Sequence, residues 1–112
     1  MQETVFVISG DTLGRGSDEL GRQLMGKFIL QLATQSPRPH AVVFYNSGVK
    51  LLADNSTCLE GIRTLEHDGV EILACGTCAG FFTIIDRIAA GRIADMREIV
   101  ATIIAAAKVV TV

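Results

Sequence analysis

"HAVVFYNSGVKLLADNSTCLEGIRTLEHDGVEILACGTCAG", residues 40–80, holds two short apolar runs separated by a helix-like stretch. The runs "HAVVFYN" (40–46) and "VEILAC" (70–75) are rich in β-branched and aromatic residues and end in turn formers, so they read as buried strands. Between them, residues 57–68 open with Thr57-x-x-Glu60, a capping-box pattern, and stop at Gly69, which predicts a helix. Strand, helix, strand is the βαβ unit, and it requires a parallel pairing.

The same alternation extends outward. "TVFVIS" (4–9) and the closing "KVVTV" (108–112) read as further strands, and Arg92 to Ala94 as a weak fifth. Residues 17–35 carry Leu20, Leu24, Phe28 and Leu32 at a spacing of four, with Ser17 as N-cap and Asp18 and Glu19 in the first turn. "FFTIIDRIAA" (81–90) and "IVATIIAAA" (99–107) read as helices that are apolar nearly all the way round. Such helices want burial on more than one side, so the expectation is a homo-oligomer. The fold class is α/β, with a mainly parallel five-stranded sheet and helices on both faces, in a single domain over residues 1–112.

Bulk properties exclude several functions. With 112 residues and a net charge of −2, the chain has no basic footprint for nucleic acid or an anionic membrane surface. The hydrophobic fraction is 49% and the mean hydropathy +0.42, high for so small a domain, yet no apolar run approaches a membrane span. The start "MQETVFVISGD" lacks the positive region of a signal peptide. Three cysteines without a secretory context read as free thiols, and the expected location is the cytoplasm.

In open parallel sheets, ligands bind beyond the carboxyl ends of the strands. Three unusual segments follow the first three strands: "SGDTLGRGSDELG" (9–21), "YNSGVK" (45–50) and "ACGTCAG" (74–80). They should gather at one rim. Cys75 ends the third strand and Cys78 falls in the next helical turn, where a helix dipole favours a thiolate. Gly76 and Gly80 leave the backbone open to a close-approaching partner, and Gly76 and Thr77 are candidates to line a pocket there. Asp11, Gly14, Arg15, Gly16, Asn46, Ser47, Gly48 and Lys50 are candidates to line an anion pocket around the thiols.

Other readings of these residues are weaker. A zinc site needs about four ligands, and His40 and His67 belong at the opposite rim, so no metal is expected. A thioredoxin-type dithiol lacks the later proline, because Pro37 and Pro39 both precede the cysteines. Gly14, Gly16 and Gly21 match neither a dinucleotide nor a triphosphate fingerprint. Cys58, one residue after the predicted cap Thr57, reads as a helix-start residue without chemistry, with a resolving or accepting thiol as the alternative. Tyr45 and the five phenylalanines read as core.

Taken together, "SGDTLGRGSDELGRQLM", "NSGVKLL", "GVEILACGTC" and "GRIADMREIV", in that order, resemble the DsrE-like sulfur-relay family. More narrowly they resemble the C-terminal domain of the YedF group, sulfurtransferase-like proteins of selenium metabolism. The resemblance spans essentially the whole chain. It implies a three-layer α/β/α domain, assembly into trimers or hexamers, and a cysteine after a central strand that carries persulfide sulfur between partner proteins. By position that role falls on Cys78 or Cys75, with no cofactor. The chain departs from the relay subunits in having two cysteines here, and Phe82-Thr83 where an Arg-Gly-type turn is usual. The group also carries a TusA-like domain not seen ahead of Met1, so the expected donor or acceptor is a separate TusA-like protein. Two alternatives stand beside the sulfurtransferase reading: a non-enzymatic oligomeric small-ligand-binding or regulatory module, and a dithiol redox protein.

Overall fold

The computed structural model describes residues 3–112. The signal-peptide reading rests in part on Met1 and Gln2, which lie outside the described residues. Elements follow in the order β1 (Thr4–Ile8), α1 (Asp18–Leu32), β2 (Ala41–Phe44), a 3-10 segment (Asn46–Leu52), α2 (Leu59–His67), β3 (Glu71–Cys75), α3 (Gly76–Phe81), a 3-10 turn (Ile85–Arg87), β4 (Arg92–Ala94), α4 (Met96–Ala105) and β5 (Lys108–Thr111). All five strands pair in parallel, in the order β4-β3-β2-β1-β5.

That order follows from handedness. The connections β1 to β2, β2 to β3 and β3 to β4 all step one way along the sheet, whereas β4 to β5 crosses back over it. Right-handed crossovers then put α4 on the face opposite α1 and α2. The central strand β2 is buried at every position, and the core runs through Val5, Val7, Val42, Val43, Phe44, Leu73 and Ile99. One face is sealed by Met25 and Ile29 of α1 with Ile62 and Leu65 of α2. The two helices approach closely because residue 61 is glycine: a Cβ there would lie 2.9 Å from Ile29 Cγ2.

Several local expectations need correcting. Ser17 does cap α1, accepting from the Leu20 N–H at 3.1 Å. The buried stripe, however, is Gly21, Met25, Ile29 and Leu32, and Leu20 and Leu24 face outward. Helix α2 starts at Leu59, capped by Cys58 without a side-chain bond, so the Thr57 capping box does not form. The Ser56 hydroxyl takes the Cys58 N–H instead.

Residues 81–90 are not a helix. α3 ends at Phe81 because Thr83 adopts a left-handed backbone, with φ +54°, and the chain then turns through Ile85–Arg87. Finally, Phe81 is 80% exposed, so the reading of every phenylalanine as core fails there.

An ion network fastens the β4 edge. The Arg92 guanidinium meets Glu71 of β3 and Glu98 of α4. Hydrogen bonding to Arg92 pulls the Glu98 carboxyl below its ordinary value, and the two carboxylates raise the arginine further.

Candidate functional site

The carboxyl rim of the sheet is assembled by three segments interlocked through main-chain contacts. β3 delivers Cys75 in extended conformation as the cap of α3, so Cys78 is the third residue of that short helix. The 3-10 segment after β2 begins at Asn46, which is held left-handed at φ +52°. That twist aims the Asn46 N–H at the Cys78 sulfur, 3.0 Å away. The Asn46 side-chain oxygen accepts from the Ser47 N–H at 2.8 Å, and the Ser47 hydroxyl accepts from the Asp11 N–H at 3.1 Å.

Gly48 makes this interlock possible. A Cβ at position 48 would sit 2.5 Å from the Ile8 carbonyl oxygen, so only glycine lets the segment rest on the end of β1. A Cβ at Gly76 would meet Ile93 Cγ2 at 3.0 Å, which ties the turn after β3 to β4.

The two thiols differ sharply. Cys75 is 1% exposed, walled into the core, whereas Cys78 is half-buried and opens outward. Both are free, and the Cys75 thiol is close enough to raise that of Cys78. Cys78 lines a pocket of about 260 Å³ with Asn46, Thr77, Phe81 and Phe82. Over the Phe82 ring stands the Lys50 ammonium, 4.4 Å from its centroid, a cation–π contact at the pocket wall.

The electrostatics depart from expectation. A helix start was expected to favour a thiolate at Cys78. Instead the Cys78 thiol is pushed above its ordinary value, first by burial and then by the neighbouring Cys75. The Asn46 N–H opposes that shift by stabilising the anion. A helix as short as α3 contributes only a weak dipole beside apolar Phe81 and Phe82.

Of the residues read from the sequence, Asn46, Thr77 and Cys78 share this pocket, with Lys50 above its wall. Asp11 and Ser47 connect to it through hydrogen bonds. Gly14, Arg15 and Gly16 are not brought there. They form an exposed turn, with φ +81° and +122° at the glycines, that leads into the first turn of α1. The Leu13 N–H donates to the Gly21 carbonyl, which folds the loop onto its own helix. His40 and His67 sit outside the site, before β2 and at the end of α2.

Phe81 and Phe82 were not read as site residues. The signal was present: two adjacent aromatics three and four residues after Cys78, ahead of a threonine that stops the helix. A second cleft was also missed. It is lined by Asp11, Arg22, Lys50, Leu51 and residues 55–58, and Cys58 stands in its wall, 7% exposed. Burial lifts the Cys58 thiol, while the Thr57 and Ser56 hydroxyls partly counter this.

Among the described residues no helix is long and apolar enough to cross a membrane. No protein-family model matches the chain, and a search of the curated proteins finds no match. Solved structures do match. YchN from E. coli overlays with a TM-score of 0.77 at 19% identity, covering 100% of both chains. MTH1491, a protein of unknown function from Methanobacterium thermoautotrophicum, overlays with a TM-score of 0.71 at 20% identity, again over 100% of both chains. BT1422 from Bacteroides thetaiotaomicron, also of unknown function, gives 0.68 at 14% identity over 98% of this chain and 95% of its own. At such identities the likeness speaks for the fold alone: an all-parallel five-stranded α/β sheet with helices on both sides.

Proposed function

We propose that the chain is a sulfurtransferase-like carrier that holds persulfide sulfur on Cys78, with Cys75 as the resolving thiol. The observation that carries this reading is the Asn46 N–H donating to the Cys78 sulfur beside a second free thiol. The main-chain donor stabilises a thiolate at the Cys78 sulfur and so partly offsets the burial that lifts the resting thiol, which supports a nucleophilic role for this cysteine.

In the first step the Cys78 thiolate attacks the outer sulfur of a donor persulfide. The donor S–S bond breaks, the donor leaves as a thiolate, and Cys78–S–SH forms. An acceptor thiol then takes the outer sulfur by the same exchange. Alternatively the Cys75 thiolate attacks the inner sulfur, expels hydrosulfide and closes a Cys75–Cys78 disulfide, which an external dithiol must reduce. The quoted motifs support placement near the YedF group, with a TusA-like protein as donor or acceptor in the cytoplasm. Exposed Met96, Val100 and Ile104, one stripe along α4, support a homo-oligomer.

The test is mass spectrometry after incubation with a cysteine desulfurase and cysteine. A gain of about 32 Da on Cys78, absent in Cys78→Ser and retained in Cys75→Ser, is the expected result. If neither thiol gains mass while a known carrier is labelled alongside, the cysteines only line a ligand pocket and the carrier reading is wrong. Insulin reduction without any persulfide would point to a dithiol redox protein instead.

A further inference from the structure

The cleft beside Cys58 is chemically unlike the Cys78 pocket. It encloses about 320 Å³ between the end of β1, the second turn of α1, the 3-10 segment and the turn into α2. Arg22 and Lys50 bring two positive charges to it, and Asp11 brings one negative charge. Arg38, Arg87 and Arg92 are each held by a carboxylate, but none of Asp11, Arg22 and Lys50 enters an ion pair among the described residues. The cleft's charges are thus held apart and face common solvent. Residues 55–57 add an amide and two hydroxyls, short polar groups suited to hydrogen-bond an oxygen-rich ligand.

We propose that this cleft binds a small oxyanion group between Arg22 and Lys50. A carboxylate or a tetrahedral oxyanion would accept from the Arg22 fork and the Lys50 ammonium. The cation–π contact to Phe82 uses the ammonium's charge and still leaves its N–H donors for a ligand. Two sources supply that chemistry. A free inorganic oxyanion needs only the cations, whereas an amino-acid zwitterion would also place its ammonium against Asp11. The proposal stands apart from the persulfide reading, since it needs no reaction at any cysteine.

The probes are sulfate and L-serine, both inert toward thiols, added to the full chain while the amide signals of residues 55–58 are followed by NMR. Saturable shifts confined to the cleft are expected, with affinity lowered about tenfold in Arg22→Gln, the loss of roughly one charge-assisted hydrogen bond. Lys50→Gln should weaken binding in the same direction. Asp11→Asn separates the sources: it tightens sulfate if the ligand is a simple anion and weakens L-serine if it is a zwitterion. Binding should survive Cys78→Ser, which abolishes sulfur loading, so the two readings fail independently. The proposal is overturned if neither probe gives saturable shifts at residues 55–58, or if binding is unchanged in both Arg22→Gln and Lys50→Gln.

Discussion

Cys58 and Cys78 both stand at helix starts and both have thiols lifted by burial, yet their surroundings assign them different work. Cys58 is sealed and its thiol faces neighbouring hydroxyls in a charged cleft. Cys78 lies open in an apolar pocket, with a main-chain N–H on its sulfur and a partner thiol beneath. The comparison teaches that position on a helix does not decide a cysteine's chemistry. What packs across from it does, and here that is the segment starting at Asn46.

The strongest way to break the contrast is to dislodge that segment. Gly48→Ala drives a Cβ into the Ile8 carbonyl and should cost on the order of 1–3 kcal/mol in chemical denaturation, while loosening the Asn46–Cys78 contact. A stability change near zero would show that the rim is not interlocked as described.

Alkylation sharpens the contrast next. Cys78 should react with iodoacetamide at least about tenfold faster than Cys58, because Cys58 must first be exposed by a local opening. Peptide mapping against time reads this directly, and equal rates would erase the distinction.

The pH dependence follows from the lifted thiol. Alkylation of Cys78 should rise with pH and reach half its maximum above the ordinary thiol value, not near neutrality. Because the folded value exceeds the unfolded one, the stabilising contribution of the protonated thiol is fully present below the unfolded value. It is lost as pH climbs through the folded one. Cys78→Ser should therefore flatten the alkaline decline in stability, a modest effect for a half-exposed group.

The smallest effect concerns Thr83, whose β-branched side chain sits at φ +54° next to Phe82. Thr83→Gly should relieve that conformation and stabilise the protein by up to about 1 kcal/mol. Destabilisation would mean that the threonine side chain contributes more than its backbone costs; its hydroxyl donates to the Phe82 carbonyl at 2.6 Å.

Four strands were legible because short β-branched runs alternate with helical spacing, a pattern that points to a mainly parallel sheet, whereas Arg92–Ala94 gave only a weak signal for the fifth. The gathering of loops at one rim followed from that alternation, and Asn46, Ser47 and Cys78 do meet there. Less was readable where tertiary contacts override local pattern. The Leu20–Leu24 spacing is as regular as that of Met25, Ile29 and Leu32, and only packing against α2 selects the latter. The run 81–90 has helical hydrophobicity throughout, but a single left-handed threonine stops it. Arg15 illustrates a third limit. Glycines on both sides suggest reach, but a main-chain bond between Leu13 and Gly21, which no side-chain pattern announces, ties the loop to the start of α1.

The donor on the Cys78 sulfur belongs to the peptide backbone. Any residue able to hold the same twist at position 46 would supply it, so neighbouring side chains can change during divergence while this feature persists. Its trace is conformational rather than alphabetic: a search for homologous chemistry should compare torsion angles facing the thiol before it compares letters.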